Sequence, residues 1–285
     1  MGRFHRHDEH DEGHGHGHGH GHGDHEHDHD HGHGHEHEHG HEHEDVGDHS
    51  AYETGGERVE VLERIFAEND RAADSNRATF DAAGAVCVNL MSSPGAGKTT
   101  LLAHTLQWLQ DQGVRAGVVE GDIETSIDAD RLAGFGAAIS LLNTGNGFGG
   151  ECHLDAPMVA RALAALPMAD LDLVLVENVG NLVCPAEFDI GAHASAMVYA
   201  ITEGEEKPLK YPVMFRTVDA VVVNKLDLLP YLDADLDLFR ANLAKVNPDA
   251  VVIPLSARTG EGLAEWYAWL SSVRDRSVAQ AGETA

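Results

Sequence analysis

The chain has 285 residues and a net charge of −29 with histidine counted as neutral, which argues against a nucleic-acid partner because no basic stripe can neutralise phosphates. It contains no run of about 18 apolar residues that could span a membrane, and residues 1–50 lack the apolar core of a secretory signal. Three cysteines are too few for a disulfide framework, so we expect a cytoplasmic protein with free thiols.

Residues 1–50 differ in composition from the rest of the chain and hold 19 of the 22 histidines and 14 acidic residues. Such a segment buries too little apolar area to offset chain entropy, so we expect a disordered tail. Imidazole binds nickel, zinc and copper, and the carboxylates between the histidines offer oxygen ligands. An expression tag would be a contiguous run of histidines, so we favour a metal-binding tail over a tag, with a solvated low-complexity tail as the alternative. Its candidate ligands are the regularly spaced histidines His14, His16, His18, His20, His22, His25, His27, His29, His31, His33, His35, His37, His39, His41 and His43.

Residues 51–84 are predicted to form an N-terminal helical segment, because apolar residues recur at mostly helical spacing over 57–81 and Gly84 follows as a stop. Over residues 85–275, apolar strands alternate with helices, which predicts an α/β domain whose mostly parallel sheet is covered by helices on both faces. Residues 276–285 are expected to be a disordered C-terminal tail. The predicted strands cover residues 85–91, 115–120, 138–142, 171–177, 195–201, 220–223 and 251–254, and the predicted helices cover residues 98–110, 125–132, 153–165, 236–246 and 261–273.

A glycine-rich loop follows the first predicted strand and opens a helix, with the sequence Ser-Ser-Pro-Gly-Ala-Gly-Lys-Thr at residues 92–99. Glycines allow the backbone N–H groups to wrap phosphates, and the helix N-terminus adds positive potential. Lys98 would reach the β- and γ-phosphates as a catalytic residue, and the Thr99 hydroxyl would bind Mg²⁺. Ser92 stands where the pattern usually has its first glycine. We therefore predict a P-loop NTPase whose phosphate site comprises Gly95, Ala96, Gly97, Lys98, Thr99 and Thr100.

A base-recognition motif, Asn224-Lys225-Leu226-Asp227, directly follows the strand at 220–223. A carboxylate at Asp227 can accept hydrogen bonds from guanine N1–H and from its exocyclic amine, and adenine would leave that carboxylate buried without a partner. Ser256 and Ala257, at the end of the next strand, resemble the fifth guanine-nucleotide motif, which backs the base. The predicted nucleotide is GTP.

Two further segments at strand ends are candidates for responding to the γ-phosphate. Glu177-Asn178-Val179-Gly180 stands where GTPases usually have Asp-x-x-Gly, so the Gly180 N–H can sense the γ-phosphate and Glu177 can hold Mg²⁺ through water. Asp122 follows the second strand and is our candidate for a Mg²⁺-linked or water-orienting carboxylate; a helix N-cap is the alternative role.

Cys152, His153 and Cys184 are candidate ligands for a transition metal, because thiolate and imidazole suit Zn²⁺ or Ni²⁺. Three ligands leave a tetrahedral site incomplete, so water or a second chain would supply the remainder. Cys87, inside the first strand, is interpreted as a small buried hydrophobe.

The loop at 92–99, the Cys-His-Leu stretch at 152–154 and the segment Glu-Asn-Val-Gly-Asn-Leu-Val-Cys-Pro at 177–185 together resemble the HypB family of hydrogenase nickel-incorporation GTPases. The resemblance covers about residues 57–275. It implies a SIMIBI-class GTPase that dimerises with nucleotide and delivers Ni²⁺ to the precursor of the [NiFe]-hydrogenase large subunit, together with the zinc-containing partner HypA. It also implies that Cys152, His153 and Cys184 form an interface metal site. The N-terminal Cys-x-x-Cys-Gly-Cys site of some members is absent, since no cysteine precedes Cys87.

Three alternative functions remain at this point, and the last of them is a GTP-dependent regulator, against which the set Cys152, His153 and Cys184 weighs only by resemblance. A urease-type nickel-insertion GTPase of the UreG kind shares the fold, nucleotide and metal, but it carries Cys-Pro-His where this chain has Cys184-Pro185-Ala186. A nickel storage or buffer protein with residual GTP binding is the second alternative, and the intact Lys98 and Asp227 argue against it.

Overall fold

The computed structural model describes residues 54–121, 132, 134–142 and 153–284. These residues belong to one compact unit within residues 50–285. The predicted tail at 1–50, the candidate ligands Asp122 and Cys152, and all but Leu132 of the helix predicted at 125–132 lie outside the described residues. No helix among the residues described is both long and apolar enough to cross a membrane.

The described residues form a seven-stranded sheet in the order β3-β2-β4-β1-β5-β6-β7, and every neighbouring pair of strands is parallel. Every residue of β1, β2 and β6 is buried, as expected for apolar strands that are covered on both faces. The predicted parallel α/β sheet is thus confirmed. The strands are β1 (Val86–Ser92), β2 (Ala116–Glu120), β3 (Ala138–Leu141), β4 (Leu173–Gly180), β5 (Ala194–Ala200), β6 (Ala220–Asn224) and β7 (Val251–Pro254).

Seven α-helices are described: α1 (Thr54–Ala83), α2 (Lys98–Asp111), α3 (Ala156–Leu163), α4 (Lys207–Lys210), α5 (Pro212–Arg216), α6 (Leu236–Val246) and α7 (Leu263–Thr284). The N-terminal segment predicted to be helical forms a single helix, α1. Neither of the short helices α4 and α5 was predicted.

Two predicted helix boundaries are wrong. Helix α3 begins at Ala156 rather than at residue 153, because the Asp155 carboxylate accepts a hydrogen bond from the Met158 N–H at 2.7 Å and caps the helix. His153 and Leu154 therefore lie in the segment before the helix. The predicted disordered tail at 276–285 is helical as far as Thr284, and this segment contains the helix formers arginine, alanine and glutamine.

The sheet separates two apolar layers. On one face, Leu173 and Leu175 of β4 pack with α2 and α7, where the buried Trp266 donates to the Thr105 hydroxyl at 2.9 Å. On the other face, Val174 and Val176 of the same strand pack with α3 and with Phe80 of α1. Successive residues of a strand point to opposite faces, so β4 serves both layers.

Helix α1 is fastened to two loops by buried amides. Asn69 donates to the Asp189 carbonyl at 2.8 Å and accepts from the Ala156 N–H at 2.9 Å. Asn76 donates to the carbonyls of Ala156 and Ile190 at 2.9 and 3.1 Å. Helix α1 therefore fixes both the start of α3 and the loop that precedes β5.

His193 joins α1 to β1 through its two ring nitrogens. Nδ1 accepts from the Cys87 N–H, and Nε2 lies against the Asp81 carboxylate, each at 3.0 Å. Only a neutral ring can accept at Nδ1. Burial lowers the pKa of His193; Arg77 lowers it further, and Asp81 opposes the shift.

Acidification should therefore destabilise the fold through His193. Because the folded-state pKa lies below the unfolded value of about 6.5, this contribution is complete above that pH and is lost as the pH falls through the folded pKa. Urea unfolding between about pH 8 and pH 5 should show a smaller loss of unfolding free energy in His193→Gln than in the unaltered chain. Equal losses in the two proteins would contradict the assignment.

Candidate nucleotide and metal site

The glycine-rich loop connects β1 to α2 in a conformation that requires glycine at two positions. Gly95 and Gly97 have φ angles of 70° and 99°. A Cβ at Gly97 would lie 2.4 Å from Nδ2 of Asn224. The buried Lys98 ammonium donates to the Ser92 hydroxyl at 2.9 Å. Ser92, the departure from the usual pattern, thus supplies a polar partner for the lysine.

Asn224 at the end of β6 holds the base-recognition segment against this loop. Its amide donates to the Ala96 carbonyl at 2.8 Å, and its Oδ1 accepts from the Ala257 N–H at 2.9 Å. Lys225, which has a left-handed backbone with φ 65°, donates from Nζ to the Gly95 carbonyl at 2.7 Å. Three segments that are distant in sequence therefore meet at this edge of the sheet. Thr100 lies in the first turn of α2 and is exposed.

The Asp227 carboxylate is held in position for a ligand. The Ser256 hydroxyl donates to its Oδ1 at 2.6 Å, and Arg258 approaches Oδ2 at 3.4 Å. The hydrogen bond from Ser256 lowers the pKa of Asp227, and the nearby Arg258 charge acts in the same direction. The side chain therefore remains an ionised acceptor near neutral pH, as recognition of two guanine donors requires.

Glu177 of β4 reaches the start of α2, where the Thr99 hydroxyl donates to its Oε1 at 2.9 Å. It pairs in register with Glu120 of β2, and both side chains are buried. Gly180 pairs in register with Ser92 and so lies beside the loop. Glu120 was not predicted as a site residue, although a glutamate at the end of an apolar strand was a usable signal.

Glu203 is a second residue that the motifs did not predict. Its Oε1 accepts from the Ser93 hydroxyl at 2.5 Å and from the Ala200 N–H at 2.9 Å. Lys207 lies 3.6 Å from the other oxygen. Glu203 therefore ties the glycine-rich loop to the segment that follows β5.

Two of the three predicted metal ligands are described. The His153 ring stacks on Phe188 with centroids 4.2 Å apart, and Phe188 in turn lies 5.3 Å from the Phe66 ring of α1. The Cys184 side chain is half-buried. Across the residues that the structure describes, no three histidine, cysteine or acidic side chains form a group able to hold a metal ion.

Cys87 is completely buried in β1, and burial raises the pKa of its thiol. A thiol in that state is a poor metal ligand. Its position agrees with the structural role expected for it.

Comparison with known proteins gives concordant results. The family model for the CobW/HypB/UreG nucleotide-binding domain matches residues 86–254. Hydrogenase maturation factor HypB of Azotobacter chroococcum mcd 1 is 48% identical over 216 residues, which cover 76% of this chain and 69% of the relative. The sheet, the loop between β1 and α2, and this family match confirm the predicted P-loop NTPase fold.

Two crystal structures resemble the chain along most of its length. That of hydrogenase maturation factor HypB from Archaeoglobus fulgidus has 36% identity and a TM-score of 0.67, and covers 73% of this chain and 99% of its own. That of HypB from Helicobacter pylori in complex with nickel has 32% identity and a TM-score of 0.68, and covers 74% of this chain and 97% of its own.

Gly97→Ala should abolish nucleotide binding by displacing the loop from Asn224. We expect a loss of about 1–2 kcal/mol in the free energy of unfolding from the left-handed backbone, together with a loss of guanine-nucleotide affinity. Fluorescence titration with labelled GDP measures the affinity. Gly113→Ala is the matched control, because Gly113 has φ 69° and open space around its Cβ position. Unchanged GDP affinity in Gly97→Ala would contradict the geometry.

Proposed function

Because the chain belongs to the HypB family of hydrogenase maturation factors, we propose that it is a GTP-hydrolysing nickel metallochaperone. It delivers Ni²⁺ for maturation of [NiFe]-hydrogenase, and GTP hydrolysis is coupled to release of the metal. The supporting observation is the contact of Glu177 with Thr99 at 2.9 Å. The segment that touches the nucleotide loop continues to Cys184, a predicted metal ligand, seven residues later.

Magnesium fits the donor set at the start of α2. The Thr99 hydroxyl and the Glu177 carboxylate are hard oxygen donors, and Asp122 is a third candidate from the sequence. Bound Mg²⁺ would neutralise charge on the β- and γ-phosphates. Lys98 exchanges Ser92 for phosphate oxygens, and the Gly180 N–H contacts the γ-phosphate. Movement of Glu177 and Gly180 after hydrolysis is the proposed switch.

Nickel is the cargo, and its proposed ligands in each chain are Cys152, His153 and Cys184. Since three ligands do not complete a tetrahedron, a second copy of the chain supplies the rest, and the nucleotide promotes the homodimer. Zn²⁺ fits the same donors. The histidines of residues 1–50 buffer nickel for this site.

The proposed partners are a HypA-like nickel and zinc accessory protein and the precursor of the hydrogenase large subunit, in the cytoplasm. Similarity to hydrogenase maturation factors supports this target over urease. The intact contacts around Lys98, Asn224 and Asp227 support GTP turnover over nickel storage.

Asp227→Asn should shift the nucleotide preference from guanine to xanthine, because the amide can donate to the xanthine O2 carbonyl. We expect GTP affinity to fall by at least about 100-fold and xanthosine triphosphate to bind instead. Displacement of labelled GDP measures both. The control is Arg258→Ala, which removes an exposed partner of the same carboxylate and should leave the preference for guanine unchanged. Equal displacement by ATP and GTP in the unaltered chain would contradict guanine recognition.

Lys98→Ala should eliminate nickel delivery without eliminating nickel binding. Purified hydrogenase large-subunit precursor is mixed with the nickel-loaded chain and GTP, and nickel in the precursor is measured by mass spectrometry. We expect transfer with GTP, and little with GDP or with Lys98→Ala. Lys245→Ala, on α6, is the control lysine variant. Full transfer by Lys98→Ala would mean that the chain is a nickel store rather than a GTP-driven chaperone.

A further inference from the structure

Asn178 occupies an unusual place on β4, because it is a completely buried amide that continues an apolar face. Val174 and Val176 precede it on the face that packs with α3 and α1. Its neighbour Glu177 points to the opposite face, toward Thr99 and the glycine-rich loop. Asn178 and Glu177 are thus adjacent on one strand but face different layers of the protein.

The Asn178 side chain holds the residue that follows His153. Its Oδ1 accepts from the Leu154 N–H at 3.0 Å and from the Val179 N–H at 2.9 Å. Its amide nitrogen approaches Oδ1 of Asn89 at 3.4 Å. A buried polar amide in an apolar layer is stabilised when its hydrogen bonds are made. The bond to Asn89 stays within the sheet, and the bond to Leu154 joins the sheet to the segment before α3.

Leu154 also touches the residue that follows β2, the strand next to β4. A Cβ at Gly121 would lie 2.5 Å from a Leu154 methyl carbon, so glycine is what admits this fully buried side chain. The Gly121 N–H donates to the Glu177 carbonyl at 3.0 Å. The ends of β2 and β4 therefore both contact Leu154.

The C-terminal side of this segment is anchored to helix α1. Asn69 of α1 holds the Ala156 N–H at 2.9 Å, and Asn76 holds the Ala156 carbonyl at 2.9 Å. His153 and Leu154 thus lie between a fixed anchor on α1 and the ends of β2 and β4.

We propose that Asn178 is a positioning residue that transmits movement of the nucleotide-contacting end of β4, through Leu154, to the metal ligand His153. The inference rests on the proposed nickel site at Cys152, His153 and Cys184. It assigns the coupling between nucleotide state and nickel affinity to the hydrogen bond between Asn178 and Leu154. This bond acts in addition to the backbone segment that joins Glu177 to Cys184. Loss of that bond should disconnect nickel affinity from the nucleotide state while leaving GTP recognition in place.

The test measures nickel bound to cysteine in the full chain. The chain has no cysteine before Cys87, and Cys87 is buried within the sheet. Sulfur-to-nickel charge-transfer absorption therefore reports Cys152 and Cys184 but not the histidine tail. A chelator buffer fixes free Ni²⁺, so that uptake by the tail does not distort the titration. The measured quantity is the free Ni²⁺ concentration at which the charge-transfer absorption reaches half of its maximum. This midpoint is measured with GDP and with a non-hydrolysable GTP analogue.

The unaltered chain should show midpoints that differ by about fivefold or more between the two nucleotides. In Asn178→Ala the two midpoints should converge, whereas damage to the metal site alone would lower both affinities and keep their ratio. Asn178→Asp keeps an acceptor oxygen for the Leu154 N–H and should restore the ratio. Asn89→Ala is the matched control, because it removes a buried amide from the same layer and leaves the bond to Leu154.

The possible results distinguish the role of Asn178 from the proposed function on which it rests. Equal midpoints in the unaltered chain would overturn both the proposed coupling and the role of Asn178. A nucleotide-dependent midpoint that persists in Asn178→Ala would overturn the inference and leave the proposed function intact. Convergence in Asn178→Ala that Asn178→Asp fails to reverse, or that Asn89→Ala reproduces, would also overturn it, because the effect would then be general damage.

Discussion

The nucleotide site depends on the parallel order of the strands, because that order brings their carboxyl ends to one edge of the sheet. β1 lies between β4 and β5, so the loop that follows β1 has a strand end on each side. Glu177 at the end of β4 binds Thr99, and Glu203 after β5 binds Ser93. Asn224 at the end of β6 reaches the Ala96 carbonyl. The loop is therefore held at three points, and a change at any of them alters the backbone that wraps the phosphates.

β4 contacts both buried layers because its residues alternate between the two faces of the sheet. Leu173 and Leu175 pack toward α2, and Val174 and Val176 pack toward α3. At the edge of the sheet this alternation continues with polar residues, Glu177 on the nucleotide side and Asn178 on the other. In the proposed switch, a displacement of the strand end would therefore act on both layers. Rigid packing favours discrete rather than graded responses, which suits a switch.

Much of this arrangement could be predicted from the sequence because local patterns encode it. Contacts between residues that are distant in sequence could not be predicted in this way. Apolar runs predicted the strands, because a parallel sheet is buried on both faces. The motifs at 92–99 and 224–227 predicted the nucleotide site, because their spacing encodes local backbone geometry. Glu203 and Asn178 escaped prediction because their partners, Ser93 and Leu154, lie 110 and 24 residues away in sequence. No local pattern marks such contacts. The start of α3 was misplaced because the cap at Asp155 outweighed the apolar periodicity around it.

The charge distribution explains why this site uses local donors rather than a general electrostatic field. The chain carries a net charge of −29, and buried Glu120 and Glu177 lie side by side at the edge that receives the phosphates. Charges more than about 8–10 Å away are largely screened in physiological salt, so the net charge has little influence inside the site. Nearby charges therefore determine the electrostatic environment of the site. Phosphates that bind beside two carboxylates require cations between the negative groups. Lys98 is one, held ready on Ser92 at 2.9 Å. In the proposed function, the Mg²⁺ ion held by Thr99 and Glu177 is the second cation, so the nucleotide and its metal should bind together.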